Sequence, residues 1–189
     1  MTQKVVICGN PGIGKTAILK RLDTGSYNET RATIALSSII YTPTVDNRKL
    51  SIQIWDTPGQ QTYRDVVKNL FHGALLIILT FDITNTESFD DLPHWYDDII
   101  AAERPKYLYL VGNKLDLEEN RDITHEEASQ YAEKINAIYF ETSALDGTNI
   151  TQLFSDIALK ISEVVEPPPE VIISKHDDES ESGFLNSCC

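Results

Sequence analysis

The sequence predicts an α/β fold in three layers, with a mostly parallel central sheet covered by helices on both faces. Three observations predict it. Short apolar runs alternate with amphipathic stretches along the chain. The run Leu75 to Phe81 is almost unbroken, as a central strand buried on both sides requires. Strand patterns separated by helical patterns imply crossover connections and hence parallel pairing. The 189 residues suit one domain, and a hydrophobic content of 41% is enough for a core.

The elements follow in order. Val5-Val6-Ile7-Cys8 reads as a buried strand, and Lys15 to Leu22 as the helix after it. Ile34 to Tyr41 and Leu50 to Trp55 read as strands joined by a polar turn around Val45-Asp46-Asn47-Arg48. The second of these alternates, with Leu50, Ile52 and Ile54 on one side and Ser51, Gln53 and Trp55 on the other. After the central strand, Thr86 to Ala102 has one helical pattern, with Phe89, Leu92, Tyr96, Ile99 and Ile100 sharing a side. Tyr107 to Val111 is another buried strand. Thr124-His125-Glu126-Glu127 opens a helix with a capping box, Thr then Glu three residues on. Ala137 to Phe140 is a short strand, and Asn149 to Val164 a last amphipathic helix.

Charge excludes some functions. Sixteen Lys and Arg face 29 Asp and Glu, a net of -13. Binding nucleic acid needs clustered cations to neutralise phosphates, so a nucleic-acid partner is not expected. Electrostatic docking on anionic lipid is disfavoured for the same reason. Cys8 sits in an apolar run and reads as a buried free thiol, while Cys188 and Cys189 are adjacent at the far end, so a reducing compartment is expected. Met1-Thr2-Gln3-Lys4 leads straight into a strand, without a secretory signal, and position 2 is Thr rather than the glycine that myristoylation requires. The run Ala74 to Phe81 is too short to span a bilayer.

The strand-to-helix junction carries chemistry. Gly9-Asn10-Pro11-Gly12-Ile13-Gly14-Lys15-Thr16 matches G-x-x-x-x-G-K-[ST] between a strand and a helix. Glycines let the backbone wrap a phosphate, and the helix N-terminus faces its charge. Lys15 then reaches the β- and γ-phosphates, and the Thr16 hydroxyl ligates Mg²⁺. Alone, this motif leaves ATP and GTP both open. Asn113-Lys114-Leu115-Asp116 follows the strand Tyr107 to Val111. A carboxylate at Asp116 accepts two hydrogen bonds from guanine, at N1–H and the exocyclic amine. Adenine offers no such donor pair and leaves the carboxylate unpaired. Asn113 and the Lys114 stem are placed to frame the ring.

Taken together, Gly9 to Thr16, Thr33, Trp55-Asp56-Thr57-Pro58-Gly59-Gln60, Asn113 to Asp116 and Glu141-Thr142-Ser143-Ala144 resemble a Ras-superfamily GTPase in order and spacing, over about residues 4 to 164. His72-Gly73-Ala74, Phe81-Asp82-Ile83-Thr84, Glu87-Ser88-Phe89 followed by Trp95, and the terminal Cys188-Cys189 resemble the Rab branch. The resemblance implies a P-loop NTPase (G-domain) fold over residues 1–165 that binds GTP or GDP with Mg²⁺ and hydrolyses GTP. It implies nucleotide contacts from Pro11, Gly12, Ile13, Gly14, Lys15, Thr16 and Ala17. Further contacts come from Thr33, Gly59, Asn113, Lys114, Asp116, Leu117, Ser143, Ala144 and Leu145, and Tyr27 is the candidate aromatic cover for the guanine. Thr16 and Thr33 ligate Mg²⁺, and Asp56 holds it through water. Ser143 and Ala144 support the base through backbone contacts. Gln60 orients the attacking water, and loss of the γ-phosphate releases both switch segments. Implied partners are an exchange factor, a GTPase-activating protein, effectors and an escort protein or GDP-dissociation inhibitor. The implied place is the cytoplasm, cycling onto the cytosolic face of an intracellular membrane in vesicle trafficking. A monomer is expected by default, since the sequence shows no apolar surface stripe.

This sequence departs from the family at the chemistry. Pro11 stands beside the γ-phosphate position with no N–H to donate, and Pro58 stands between Asp56 and Gln60, where Ala is usual. Gln61 replaces the usual Glu. Thr33-Ile34-Ala35 and Ser37-Ser38 are unusual in switch I, and the loop before Thr33 is about one residue short. Two readings follow: a self-timed GTPase switch, or a nucleotide-loaded adaptor with very slow or no hydrolysis. A P-loop kinase or ATPase is disfavoured by Asn113 to Asp116.

Residues 166–189 read as a flexible acidic tail. Pro167-Pro168-Pro169 favours extended chain, and Glu163 to Cys189 holds seven acids against Lys175 alone. Cys188-Cys189 resembles the ending that takes two geranylgeranyl groups. Two lipids suit this tail, because one chain binds a membrane marginally and an acidic tail supplies no second attraction. Val171-Ile172-Ile173 is an apolar island for an escort protein or the domain itself. The 24 residues from Glu166 reach up to about 80 Å at ~3.3 Å each.

Overall fold

The computed structural model describes residues 2–27, 33 and 35–165. The first strand, β1 (Gln3–Cys8), carries the run Val5 to Cys8, all of it fully buried. Helix α1 (Lys15–Thr24) starts after Gly14 and stops at Gly25, whose left-handed backbone (φ 68°) lets its N–H return to Arg21 O. Strand β2 (Ser37–Tyr41) follows. A small hairpin pairs β3 (Thr44–Val45) with β4 (Arg48–Lys49), and Asp46 and Asn47 at its tip both have positive φ. That is the two-residue turn whose twist matches paired strands.

Strand β5 (Ile52–Asp56) leads through a short turn of 3₁₀ helix (Gln61–Tyr63) to α2 (Arg64–Phe71). Then come β6 (Leu76–Asp82), α3 (Thr86–Asp90), α4 (Leu92–Ala102) and β7 (Tyr107–Asn113). A 3₁₀ segment (Leu115–Asn120) precedes α5 (His125–Lys134), β8 (Ile138–Thr142) and α6 (Ile150–Ser162). Among the described residues the main sheet has the order β2-β5-β1-β6-β7-β8. Every pairing in it is parallel except β2 with β5.

The period-2 geometry of strands divides the core in two. Val5, Ile7, Leu76, Ile78, Tyr109 and Val111 face α1 and α6, where Ile18, Phe154 and Ile157 meet them. Val6, Cys8, Ile77, Leu79, Leu108 and Leu110 face α2, α4 and α5 through Phe71, Trp95 and Ala128. Each fully buried Ile, Leu or Val contributes about 1.5–3 kcal/mol. Cys8 is a free buried thiol, and burial pushes its pKa up to about 12, so it stays neutral.

The expected α/β architecture is present, with differences of detail. The strand expected over Ile34 to Tyr41 begins at Ser37, and Ile34 lies outside the described residues. The shortened loop before Thr33 lies outside them too, as do Pro167-Pro168-Pro169, Val171-Ile172-Ile173 and Cys188-Cys189. The single helix expected over Thr86 to Ala102 is two helices. Asn85 caps the first by accepting from Ser88 N (3.0 Å). Asp91 ends it, and Pro93, with no N–H to give, sits in the first turn of the second. The break rotates the buried face: Leu92, Trp95 and Ile99 point inward, while Ile100 is 38% exposed. The capping box forms as expected, with Thr124 N donating to Glu127 Oε2 (2.9 Å) and Glu127 N to Thr124 Oγ1 (3.2 Å). No helix among the described residues is long and apolar enough to cross a membrane.

Candidate nucleotide-binding site

Parallel pairing brings the C-terminal ends of β1, β5, β6, β7 and β8 to one edge of the sheet, where such folds gather ligand loops. The loop from Gly9 to Gly14 starts there. Gly9 (φ 132°) lies so close to β6 that a Cβ would meet Thr80 O at 2.2 Å. Gly14 (φ 96°) lies against Asn113, whose Nδ2 would be 2.3 Å from a Cβ.

Lys15 is 5% exposed and its ammonium is turned into the loop, donating to Gly9 O (2.8 Å) and Asn10 O (2.7 Å). Burial lowers its pKa to about 8, and the Asp56 carboxylate works against that shift. Thr16 Oγ1 donates to Asp56 Oδ2 at 2.6 Å and lies 2.6 Å from Thr33 Oγ1. Asp56 is 3% exposed, and its Oδ1 is buried with no partner among the described residues. Burial raises its pKa, while the Thr16 bond opposes the rise. Two hydroxyls and a carboxylate with one unused oxygen form a hard-oxygen donor set, the kind Mg²⁺ takes together with phosphate oxygens. The residues therefore fit the ion.

The segments at the ends of β7 and β8 meet across the same edge. Asn113 is 1% exposed and both ends of its amide are used. Nδ2 donates to Ile13 O (2.8 Å), and Oδ1 accepts from Thr142 Oγ1 and Ala144 N, each at 3.2 Å. It stitches the phosphate loop to the loop after β8. Lys114 has φ 70° and its Nζ reaches Asp82 Oδ2 at 2.6 Å, which draws the stem along the cavity wall. Asp116 Oδ1 accepts from Ser143 Oγ at 2.6 Å. The Ser143 amide donates to Thr148 O (3.0 Å), so the amides of both Ser143 and Ala144 have partners within the protein.

These groups surround a cavity of about 520 Å³. Of the expected residues, Pro11, Gly12, Gly14, Lys15, Thr16, Ala17, Tyr27, Thr33, Gly59, Gln60, Asn113, Lys114, Asp116, Leu117, Ala144 and Leu145 line it. Ile13, Asp56 and Ser143 do not: all three are buried behind the wall and act through a carbonyl, a carboxylate and a hydroxyl. Thr57 lines the cavity without having been expected there, and its hydroxyl donates to Ile7 O (2.8 Å).

Sequence reasoning also missed the supports. Arg121 donates to both Glu141 oxygens (2.8 and 2.9 Å) and to Glu118, tying the segment after Asp116 to β8. Trp95 Nε1 donates to Asn10 Oδ1 (2.8 Å), with the Arg64 guanidinium over its ring at 4.7 Å. Arg64 in turn pairs with Asp98 at 2.5 Å. Gly59 packs on the Asn10–Pro11 peptide, where a Cβ would lie 2.3 Å from Pro11 N. Apart from Glu118 and Arg121, three residues apart, these partners lie 20 or more residues apart, and no spacing rule in the sequence marks them.

Comparison with known proteins agrees with this geometry. The model of the Ras family matches residues 4–163. The chain is 38% identical over 160 residues to the Ras-related protein Rab-30 of Homo sapiens, covering 84% of this chain and 79% of that one. It is 37% identical over 169 residues to the Ras-related protein RABD2a of Arabidopsis thaliana, covering 88% and 83%. Ras-related protein Rab11A of Lotus japonicus is 35% identical over 164 residues, covering 86% and 73%. A glycine-rich loop with a buried lysine, a hydroxyl–carboxylate cluster and the Asp116 carboxylate gathered at one cavity, within a chain whose residues 4–163 match the family model, lead to one conclusion: the chain belongs to the Ras family and is a Rab-like small GTPase.

Proposed function

We propose that the protein is a nucleotide-controlled switch that binds GTP or GDP with Mg²⁺, hydrolyses GTP, and acts in vesicle trafficking on the cytosolic face of an intracellular membrane. One observation carries the reading: Lys15, Thr16, Thr33, Gln60 and Asp116 all border or serve a single cavity. Lys15 neutralises phosphate charge from inside the loop. Asp116 selects guanine through its paired acceptors. Thr16, Thr33 and Asp56 would hold Mg²⁺, which when bound offsets the charge on the phosphate oxygens. Gln60 is exposed on the cavity rim, free to orient a water. Thr33 meets Thr16 directly, so a change at the metal set is felt by the segment that carries Thr33.

The test is single-turnover hydrolysis by the full chain loaded with GTP and Mg²⁺, beside an ATP-binding control. Tight GTP binding, ATP weaker by about a thousandfold or more, and hydrolysis that falls at least about tenfold in Gln60→Leu are the expected results. Comparable ATP affinity would sink the guanine reading. A second reading, a nucleotide-loaded adaptor, has its own support in the contact of Gly59 with the Asn10–Pro11 peptide, beside Gln60. It gains the case if wild type holds GTP without hydrolysis and Pro11→Gly with Pro58→Ala restores turnover.

The membrane part of the reading rests on Cys188 and Cys189, with regulators, effectors and an escort protein as partners. Changing both to Ser is expected to move the protein from the membrane fraction to the soluble fraction of cells. Retention on membranes by the double variant would refute two-lipid anchoring.

A further inference from the structure

The segment Gly59 to Arg64 runs from the wall of the nucleotide cavity to the first residue of α2 and carries Gln60. Its middle is open to solvent, with Gln60 and Thr62 exposed. Both of its ends are held. Gly59 is seated on the Asn10–Pro11 peptide, so closely that a Cβ would lie 2.3 Å from Pro11 N and 2.6 Å from Asn10 O. At the other end the Arg64 guanidinium lies over the Trp95 ring at 4.7 Å, and its Nε donates to Asp98 Oδ2 at 2.5 Å.

The seat under Gly59 depends on few contacts. Pro11 brings no N–H to the Asn10–Pro11 peptide. The peptide carbonyl accepts from Lys15 Nζ (2.7 Å), and the Asn10 side chain accepts from Trp95 Nε1 (2.8 Å). Trp95 is 2% exposed, so its ring has little room to turn. One indole therefore meets both ends of the segment. Its N–H holds Asn10, on which Gly59 rests, and its face holds Arg64, where α2 begins. Asn10, Pro11, Gly59, Arg64 and Trp95 all border one space of about 410 Å³. Side chains that line a space lack packed neighbours on that side, which leaves directional contacts to fix them.

We propose that Trp95 is a positioning residue for Gln60: it fixes the seat of Gly59 through Asn10 and the start of α2 through Arg64, and so holds the segment in which Gln60 orients the attacking water. The proposal rests on the reading of Gln60 given above. Gln60 follows Gly59 directly, so a shift of the seat displaces it, and a misplacement of about 1 Å can cost about a hundredfold in rate. Neither Asn10 nor Trp95 lines the nucleotide cavity, so the effect falls on hydrolysis rather than on binding.

The test is single-turnover GTP hydrolysis by the full chain with Mg²⁺, comparing wild type with Trp95→Phe, which keeps an aromatic face for Arg64 but removes the N–H. The rate is expected to fall about tenfold, the worth of one hydrogen bond, while GTP affinity stays within about twofold. Asn10→Ala removes the same bond from its other side and should give the same fall. Combined with Trp95→Phe it should lower the rate no further, because both changes break one contact. The Gln60→Leu background separates positioning from bracing. There Trp95→Phe is expected to change the residual rate by less than about twofold, since the residue it positions is gone. An equal fall with and without Gln60 would make Trp95 a merely structural brace and overturn the proposal. So would an unchanged rate in either folded variant, or a loss of GTP affinity as large as the loss of rate. If Trp95→Phe does not fold, Asn10→Ala, alone and with Gln60→Leu, decides by the same criteria. Wild type that binds GTP without hydrolysing it would overturn the self-timed switch and this proposal together. Hydrolysis that needs Gln60 but ignores Trp95 would overturn this proposal alone.

Discussion

Replacing Asp116 by Asn is expected to weaken GDP binding by about a thousandfold and to raise affinity for xanthosine diphosphate by a similar factor. The carboxylate offers two acceptors, and guanine brings two donors to meet them. An Asn side chain offers one acceptor and one donor, so its NH₂ faces the guanine 2-amine donor to donor. The one charge-assisted bond lost is worth about 1.5–3 kcal/mol and leaving its donor unpaired costs about 1–3 kcal/mol more, so at about 1.4 kcal/mol per decade the sum gives about a thousandfold. Xanthine carries a carbonyl in place of that amine, which matches Asn. Ser143 Oγ, 2.6 Å from Asp116 Oδ1, can donate to the Asn oxygen in the same place. Asp116 is exposed, so the melting temperature should move little. Titration of both nucleotides against both proteins is the measurement. GDP affinity unchanged within about threefold in Asp116→Asn would mean that this carboxylate does not read the base.

Gly9→Ala is expected to cost the fold about 4 kcal/mol or more, lowering the melting temperature by about 10 °C, and to abolish nucleotide binding. Two penalties add. The backbone at φ 132° suits glycine and strains any residue with a Cβ. The new methyl would also meet Thr80 O at 2.2 Å and Ile13 Cδ1 at 2.7 Å. Thr80 cannot recoil, because β6 is held between β1 and β7 by hydrogen-bonded pairing on both sides. The strand and loop must therefore part, and the start of α1 at Lys15 moves with them. Gly25→Ala separates the two causes. It shares a positive φ (68°) but meets nothing within 4 Å, so it should cost only about 1 kcal/mol. Equal melting temperatures for the two variants would show that the contact with Thr80 contributes nothing.

Much of this was legible in the chain. The strands from Val5, Leu75 and Tyr107 announce themselves as apolar runs because they are buried on both faces, and burial leaves no polar alternation to misread. The phosphate loop is legible because its chemistry is local: a turn, close backbone approach and a helix start all fall within eight residues. The capping box at Thr124 is legible for the same reason. The failures have the opposite character. The helix expected over Thr86 to Ala102 broke at Asp91, since a continuous 3.6-residue pattern reports amphipathicity and not whether Pro93 opens a new first turn. Ile100 was expected inward and Trp95 was not, because the break and the bond from Trp95 to Asn10 set the rotation of α4.

The site divides along the same line. The order of residues already shows which chemical groups are available: a lysine after a glycine-rich turn, hydroxyls and a carboxylate of the kind a hard cation takes, a carboxylate after β7, and a net charge of -13. Which of their polar atoms are already spent depends on how the chain packs. Asn113 bonds to Ile13 across 100 residues of chain, and Arg21 to Ala144 across 123. Asp56 keeps one oxygen free because Thr16, 40 residues earlier, takes the other. A hydrogen bond depends on distance and direction in space, and sequence patterns carry that information only over the few residues within which backbone geometry is regular.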